Sequence, residues 1–290
     1  MSGRFKKAPL VYVSARINTT PVPQLLPDQK ALLQQAMMKC GLVINVESNA
    51  QAINLDQQIG GNPSFTPIQR LAFFSQDRSQ CLLIDKDAIE WRVTTYNKYA
   101  DFIQSFENNV EALLKAVDFL GHLACHEFIL SYADIIAPQN NHNLNDYFKN
   151  ADSILPLSYY KAHSSSDVKQ VGHSQVTRVT RPDQKITISL EQLPIEENKI
   201  KKLLPEPLME PDQKLGMPLE IRDEWRSPTS GDYGLLMTQA GILEKVSIDK
   251  MSFESTFGDN HKLTKETFNS LLNFEVCNQD WEYEDTRSTH

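Results

Sequence analysis

The sequence predicts an α+β fold in which antiparallel sheet carries a long helix packed across one face. Three observations lead there. The segment Asn97 to Gly121 sets Tyr99, Phe102, Ile103, Phe106, Val110, Leu113, Leu114, Val117 and Leu120 at recurring spacings of three and four, the stripe of a core-facing helix. Short runs rich in β-branched and aromatic residues lie on either side of it and supply a surface to pack on. Several of those runs follow one another across two to four polar residues, as antiparallel hairpins require.

Pro9 precedes a first strand from Leu10 to Ile17, closed by Thr20-Pro21-Val22-Pro23. Leu25, Leu26, Leu32, Leu33, Ala36 and Met37 recur at helical spacing, and Gly41 stands where that helix would stop. Leu42 to Val46 is strand-like, and a polar stretch with Gly60, Gly61 and Pro63 reads as a loop. Ile68 to Ser75, Cys81 to Asp85 and Ala88 to Thr95 form a meander that leads into the long helix.

After Gly121 a similar order begins again. Glu127 to Ile136 is a strand ended by Pro138, and Leu144 to Phe148 a short helix. Lys161 to Asp167, with Ser164-Ser165-Ser166, reads as a polar linker. Val176 to Arg181 and Lys185 to Leu190 are strands around a turn at Pro182-Asp183. Pro194, Pro205, Pro207, Pro211 and Pro218 break regular structure, apart from a short helix over Glu196 to Leu203, and mark a long surface excursion. Leu219 to Trp225 and Tyr233 to Gln239 read as strands, with turn chemistry at Ser230-Gly231. The closing helix is expected to start at Thr264, with Leu263 packing on Phe268, and the tail from Glu282 to be frayed. The chain thus divides into two halves, 1–121 and 122–290, the second holding the Ser-rich linker and the Pro-rich loop. A shared order of elements suggests an internal duplication of topology. A strongly curved sheet gripping the long helix around a ligand cavity is the alternative architecture.

With 290 residues, 40% apolar and 23% charged, the chain can bury a sizeable core. A net charge of −8 argues against attraction of the whole molecule to nucleic acid or to an anionic membrane. Cys40, Cys81, Cys125 and Cys277 are dispersed and read as buried, reduced thiols. The amino terminus lacks the apolar run of a secretory signal, and no stretch approaches the ~20 apolar residues of a membrane span. The expected location is cytoplasmic.

The opening Ala8-Pro9-Leu10-Val11-Tyr12-Val13, the passage from Phe74-Ser75 to Thr94-Thr95-Tyr96 into the long helix through Phe102, and the strand around Tyr132 resemble a sporadically distributed family of uncharacterised bacterial proteins. The resemblance implies a bacterial cytosolic α+β protein, in neighbourhoods associated with mobile elements or defence. Where that family tends to carry arginine, tyrosine and then asparagine, this chain has Ser131-Tyr132-Ala133-Asp134, so no role of that arginine carries over. His261, ahead of Phe268, matches a histidine of the family's closing helix, and no function attaches to the match.

For chemistry, His122, Cys125 and His126 in GHLACHEF are the candidate metal ligands. They match neither HExxH nor HxxEH, and a plain helix-to-strand corner is the preferred reading. No GxSxG elbow or phosphate-cradling loop occurs, so no catalytic residue and no cofactor is assigned. Basic residues including Arg178, Lys185 and Lys199 interleave with Asp183, Glu191 and Glu196 as a mixed-sign surface. Trp91, Trp225 and Trp281 read as core. The expected function is non-enzymatic interaction with a protein partner or with itself, through a sheet edge or the Pro-rich excursion. The alternative is a small-ligand-binding protein or enzyme with a pocket between sheet and long helix.

Overall fold

The structure, a computed structural model, describes residues 3–54, 64–149, 171–197, 199–225 and 231–285. The expected Gly60-Gly61 loop, the Ser-rich linker and the Ser230 end of the last turn lie outside them. Two short strands, β1 (Gly3–Phe5) and β12 (Tyr283–Asp285), pair with each other, so the start of the expected frayed tail is held in a ladder.

The remaining strands make one ten-stranded sheet, antiparallel at every pairing. In chain order they are β2 (Leu10–Thr19), β3 (Ile44–Asn54), β4 (Ser64–Phe74), β5 (Gln80–Asp85), β6 (Ala88–Val93), β7 (Ala124–Ile136), β8 (Gly172–Arg181), β9 (Gln184–Pro194), β10 (Asp232–Ile242) and β11 (Val246–Ser247). Across the sheet the order is β3-β4-β5-β6-β2-β7-β10-β9-β8, with β11 also on β7. β2 and β7, from the two sides of the expected boundary at residue 121, are neighbours, so one sheet takes strands from both sides of it. On each side the last strand of the meander returns beside its own first strand, β6 beside β2 and β10 beside β7.

One face of the sheet carries α1 (Pro27–Lys39), α2 (Tyr99–Ala116) and α3 (Phe253–Leu271), and a shorter α4 (Phe274–Asp280) follows α3. The stripe expected on α2 is the one that is buried, with Phe102, Ile103, Phe106, Val110 and Leu113 facing Val13, Ile17, Trp91 and Leu130 of the sheet. Each such side chain contributes roughly 1.5–3 kcal/mol of transfer free energy. Phe106 meets Phe253 and Phe257 of α3 edge-on at 5.2 and 5.8 Å, which joins the two long helices. The α-helix stops at Ala116, because Val117 is extended (φ −141, ψ 90), and a 3-10 turn covers Asp118–His122.

α3 begins well before the expected Thr264. Ser252 caps it by accepting from the Ser255 amide, and Thr264 lies buried in mid-helix, its hydroxyl donating to the Asn260 carbonyl. The stripe that faces the sheet, Phe253, Phe257, Asn260, Thr264, includes two polar members that weaken its apolar signal. Asn260 is satisfied there, donating to the Phe128 carbonyl at 2.9 Å and accepting from Gln184.

The Pro-rich excursion crosses the other face of the sheet as a strap. Ile200, Leu215 and Trp225 are buried against that face, beside Val11, Tyr12, Ala133, Ile135 and Leu235 or, for Leu215, Ala72 and Leu83. Neither the short helix over Glu196 to Leu203 nor the strand over Leu219 to Trp225 forms. A turn bridging Glu196 and Lys199 stands in the first place and a 3-10 turn at Asp223–Trp225 in the second, since side-chain contacts to the sheet hold this segment instead of a ladder. Arg78 donates to the carbonyls of Lys214 and Gly216, and Glu210 ties to Arg70 and Arg92. All three tryptophans are buried, as are Cys81, Cys125 and Cys277, whereas Cys40 is exposed at the end of α1.

Candidate ligand pocket between sheet and helix

Phe128, Leu130, Tyr132, Asp134 and Ile136 alternate along β7 onto the face that meets the helices. Four of them extend the core, and Asp134 places a carboxyl among them. β2 bulges beside it, pairing Leu10 with Asp134 and Tyr12 with Ala133, so that Val11 is the extra residue. From α3, His261, Thr264, Lys265 and Phe268 face this row at the spacing of one helix side. Together with Phe5, Ala8, Pro9, Leu10, Tyr96 and Thr238 they enclose a cavity of ≈ 190 Å³.

Asp134 is 3% exposed, and its carboxyl makes no hydrogen bond or ion pair among the described residues. Burial lifts its carboxyl to about 7, against a smaller downward pull from Arg222. Arg222 is not its partner. That guanidinium donates to the backbone carbonyls of Ala8 and Leu10, and so fixes the wall of the cavity.

Beside the carboxyl stands an aromatic stack. Tyr99 lies flat on His261, ring centroids 4.0 Å apart, and the Tyr132 hydroxyl bonds His261 Nδ1 at 2.8 Å. Burial, with Lys265 one turn on, holds the imidazole down at about 4, so it is neutral at physiological pH. Burial holds the Tyr132 phenol well above its ordinary range and Tyr96 up to about 12, so both keep their protons. Which of the two donates in this hydrogen bond follows from the imidazole tautomer. The site therefore offers apolar and aromatic walls, neutral polar groups, a single carboxyl with no partner of its own, and the exposed ammonium of Lys265.

The candidate metal ligands are not brought together. His122 is exposed in the 3-10 turn, 3.7 Å from Asp118, Cys125 turns into the core from β7, and His126 is exposed at a bulge opposite Asn18 and Thr19. Among the described residues no group of three or more His, Cys, Asp or Glu is placed to hold a metal ion. Of the interleaved basic residues, Arg178 and Lys185 fall on opposite faces of the β8–β9 ladder, since Arg178 pairs with Ile186 and Val179 with Lys185, and Lys185 reaches Glu127 at 2.8 Å. No helix of the described residues is long and apolar enough to cross a membrane.

Sequence reasoning placed Tyr132 and Asp134 in a strand and Phe268 in the packing of the closing helix, met His261 only through a family resemblance, and gave none of the four a functional role. One signal was present. An aspartate within EFILSYADII, in phase with Phe128, Leu130 and Tyr132, must face the core if the strand is covered on that side. A scan against protein-family models and a search of curated proteins each return no match.

Proposed function

We propose that the chain is a small-ligand-binding protein whose site is the cavity between β7, β10 and α3. The ligand is a compact, largely apolar molecule bearing one amine. The observation that supports this reading is the Asp134 carboxyl, buried without a partner in an apolar cavity. A buried polar group left unsatisfied costs about 1–3 kcal/mol, more for a charged one, and a ligand donor placed there recovers it. Aromatic side chains at Tyr96, Tyr132 and His261 suit a ring or a branched aliphatic body. A cationic nitrogen would favour the ionised carboxylate, so binding should tighten as pH rises through about 7.

Titration calorimetry with small aralkyl amines, and with alcohols and acids of matched shape, tests this. Saturable binding of an amine in preference to its acid, lost in Asp134→Asn, is expected. Equal affinity for amine and acid, or binding indifferent to Asp134→Asn, would refute it.

Protein interaction through a sheet edge is the second reading, supported by one feature. β8 ends the sheet with Val176 and Val179 50% and 70% exposed. A particle mass that stays that of one chain at high concentration, with no partner recovered under native conditions, argues against it.

A further inference from the structure

We propose that a second cavity, beneath the strap on the opposite face of the sheet, binds a small uncharged polyhydroxylated molecule such as a monosaccharide or cyclitol. The cavity measures ≈ 250 Å³, is roofed by Pro207–Pro211, and is floored by residues of β2, β6, β7 and β10. It shares no lining residue with the aromatic pocket.

Its charges are already matched, which decides the class of ligand. Arg16 pairs with Glu90 and Asp87, Arg70 with Asp85 and Glu210, and Arg92 with Glu90 and Glu210. The cavity is lined by three guanidinium groups and the carboxylates of Glu90 and Glu210, and Arg70 and Arg16 are further paired with Asp85 and Asp87 outside the lining. An anion would find each guanidinium already paired with a carboxylate, and a cation would find each carboxylate already paired with a guanidinium.

The unspent hydrogen-bonding capacity is uncharged or sits on groups whose charge is spent. Tyr12 and Ser14, neighbours on the same face of β2 and both nine-tenths or more buried, have hydroxyls with no hydrogen-bond partner among the described residues. Burial pushes the Tyr12 phenol up, so it stays a donor. Arg92 Nε is buried with no acceptor. Both hydrogen bonds of Glu90 use Oε2, which leaves Oε1 as an acceptor, and Gln239 spends its amide on Ser131 Oγ at 3.0 Å and keeps its carbonyl. Donors and acceptors spread around a small cavity complement a molecule whose hydroxyls each donate and accept. Ile129 and Leu208 add apolar surface for its C–H faces. The strap's hold on the arginines here is Glu210.

Saturation-transfer NMR and calorimetry with D-glucose, D-ribose and myo-inositol, and with inorganic phosphate in parallel, test the proposal on the full chain. Saturable binding of at least one of the three is expected, weakened about tenfold by Tyr12→Phe and by Ser14→Ala. Asp134→Asn, which alters only the other pocket, should leave it unchanged, so failure of either site is read separately. Should Tyr12→Phe fail to fold, Ser14→Ala carries the test. No saturable binding by any of the three, binding indifferent to both variants, or a preference for phosphate would overturn the proposal.

Discussion

Replacing Asp134 by Asn should stabilise the protein at neutral and alkaline pH and leave it nearly unchanged in acid. The folded chain holds the Asp134 proton up to about pH 7, while an unfolded chain releases it near the ordinary 3.8. Between those values the folded state binds more protons than the unfolded one, so this group makes stability fall as pH rises and costs its full amount above about 7. A displacement of about three pKa steps, at about 1.36 kcal/mol each, sets that amount near 4 kcal/mol, an upper figure because a relaxed or hydrated site lowers it. His261 has the opposite sign: held neutral down to about 4, it makes stability rise with pH. The two slopes offset each other in the wild type, and only the difference between wild type and Asp134→Asn isolates the carboxyl. Urea unfolding of both proteins from about pH 4 to about pH 8 measures it. The gap should open from nearly zero to several kcal/mol in favour of the variant. A gap that stays constant would refute a buried, unpartnered carboxyl.

Two further outcomes follow from packing and from the strap. Phe106→Ala removes a fully buried ring that touches both long helices, and should cost about 3–5 kcal/mol in the same unfolding assay. A loss under about 1 kcal/mol would mean that α2 is not clamped by the sheet and α3. Glu210→Gln breaks the charged contacts to Arg70 and Arg92, and hydrogen exchange should quicken across residues 200–222 while the β2–β7 ladder stays protected. Those arginines hold the Glu210 carboxyl, despite its burial, down at about 2, so the wild-type strap should stay latched when pH is lowered to about 4 and loosen only below it.

Most of the sheet and α2 were legible because their signals are local and periodic. Leu10–Thr19 and Cys81–Asp85 are short aliphatic and β-branched runs between turn residues, and the Phe102-to-Leu113 stripe announces one buried helix face within a dozen residues. α3 was half legible, since Asn260 and Thr264 occupy core positions and are satisfied by Phe128 and by the helix's own carbonyls, a compensation that sequence cannot display. The prolines marked the strap as an excursion, but its course was not legible, because its geometry is set by Arg78, Arg70, Arg92 and Arg222, whose partners lie more than a hundred residues away in the chain. The same separation hides the pocket. Asp134 and Tyr132 meet His261 only because β7 lies at the centre of the sheet, beside β10, and α3 crosses above both. A carboxyl in mid-strand contradicts the strand's own pattern, and the fold tolerates it at a cost that packing elsewhere must offset. That local conflict, in an otherwise consistent core, is the physical reason for placing the proposed site at Asp134 and not at His122 and His126 of the helix-to-strand corner, both of which are exposed.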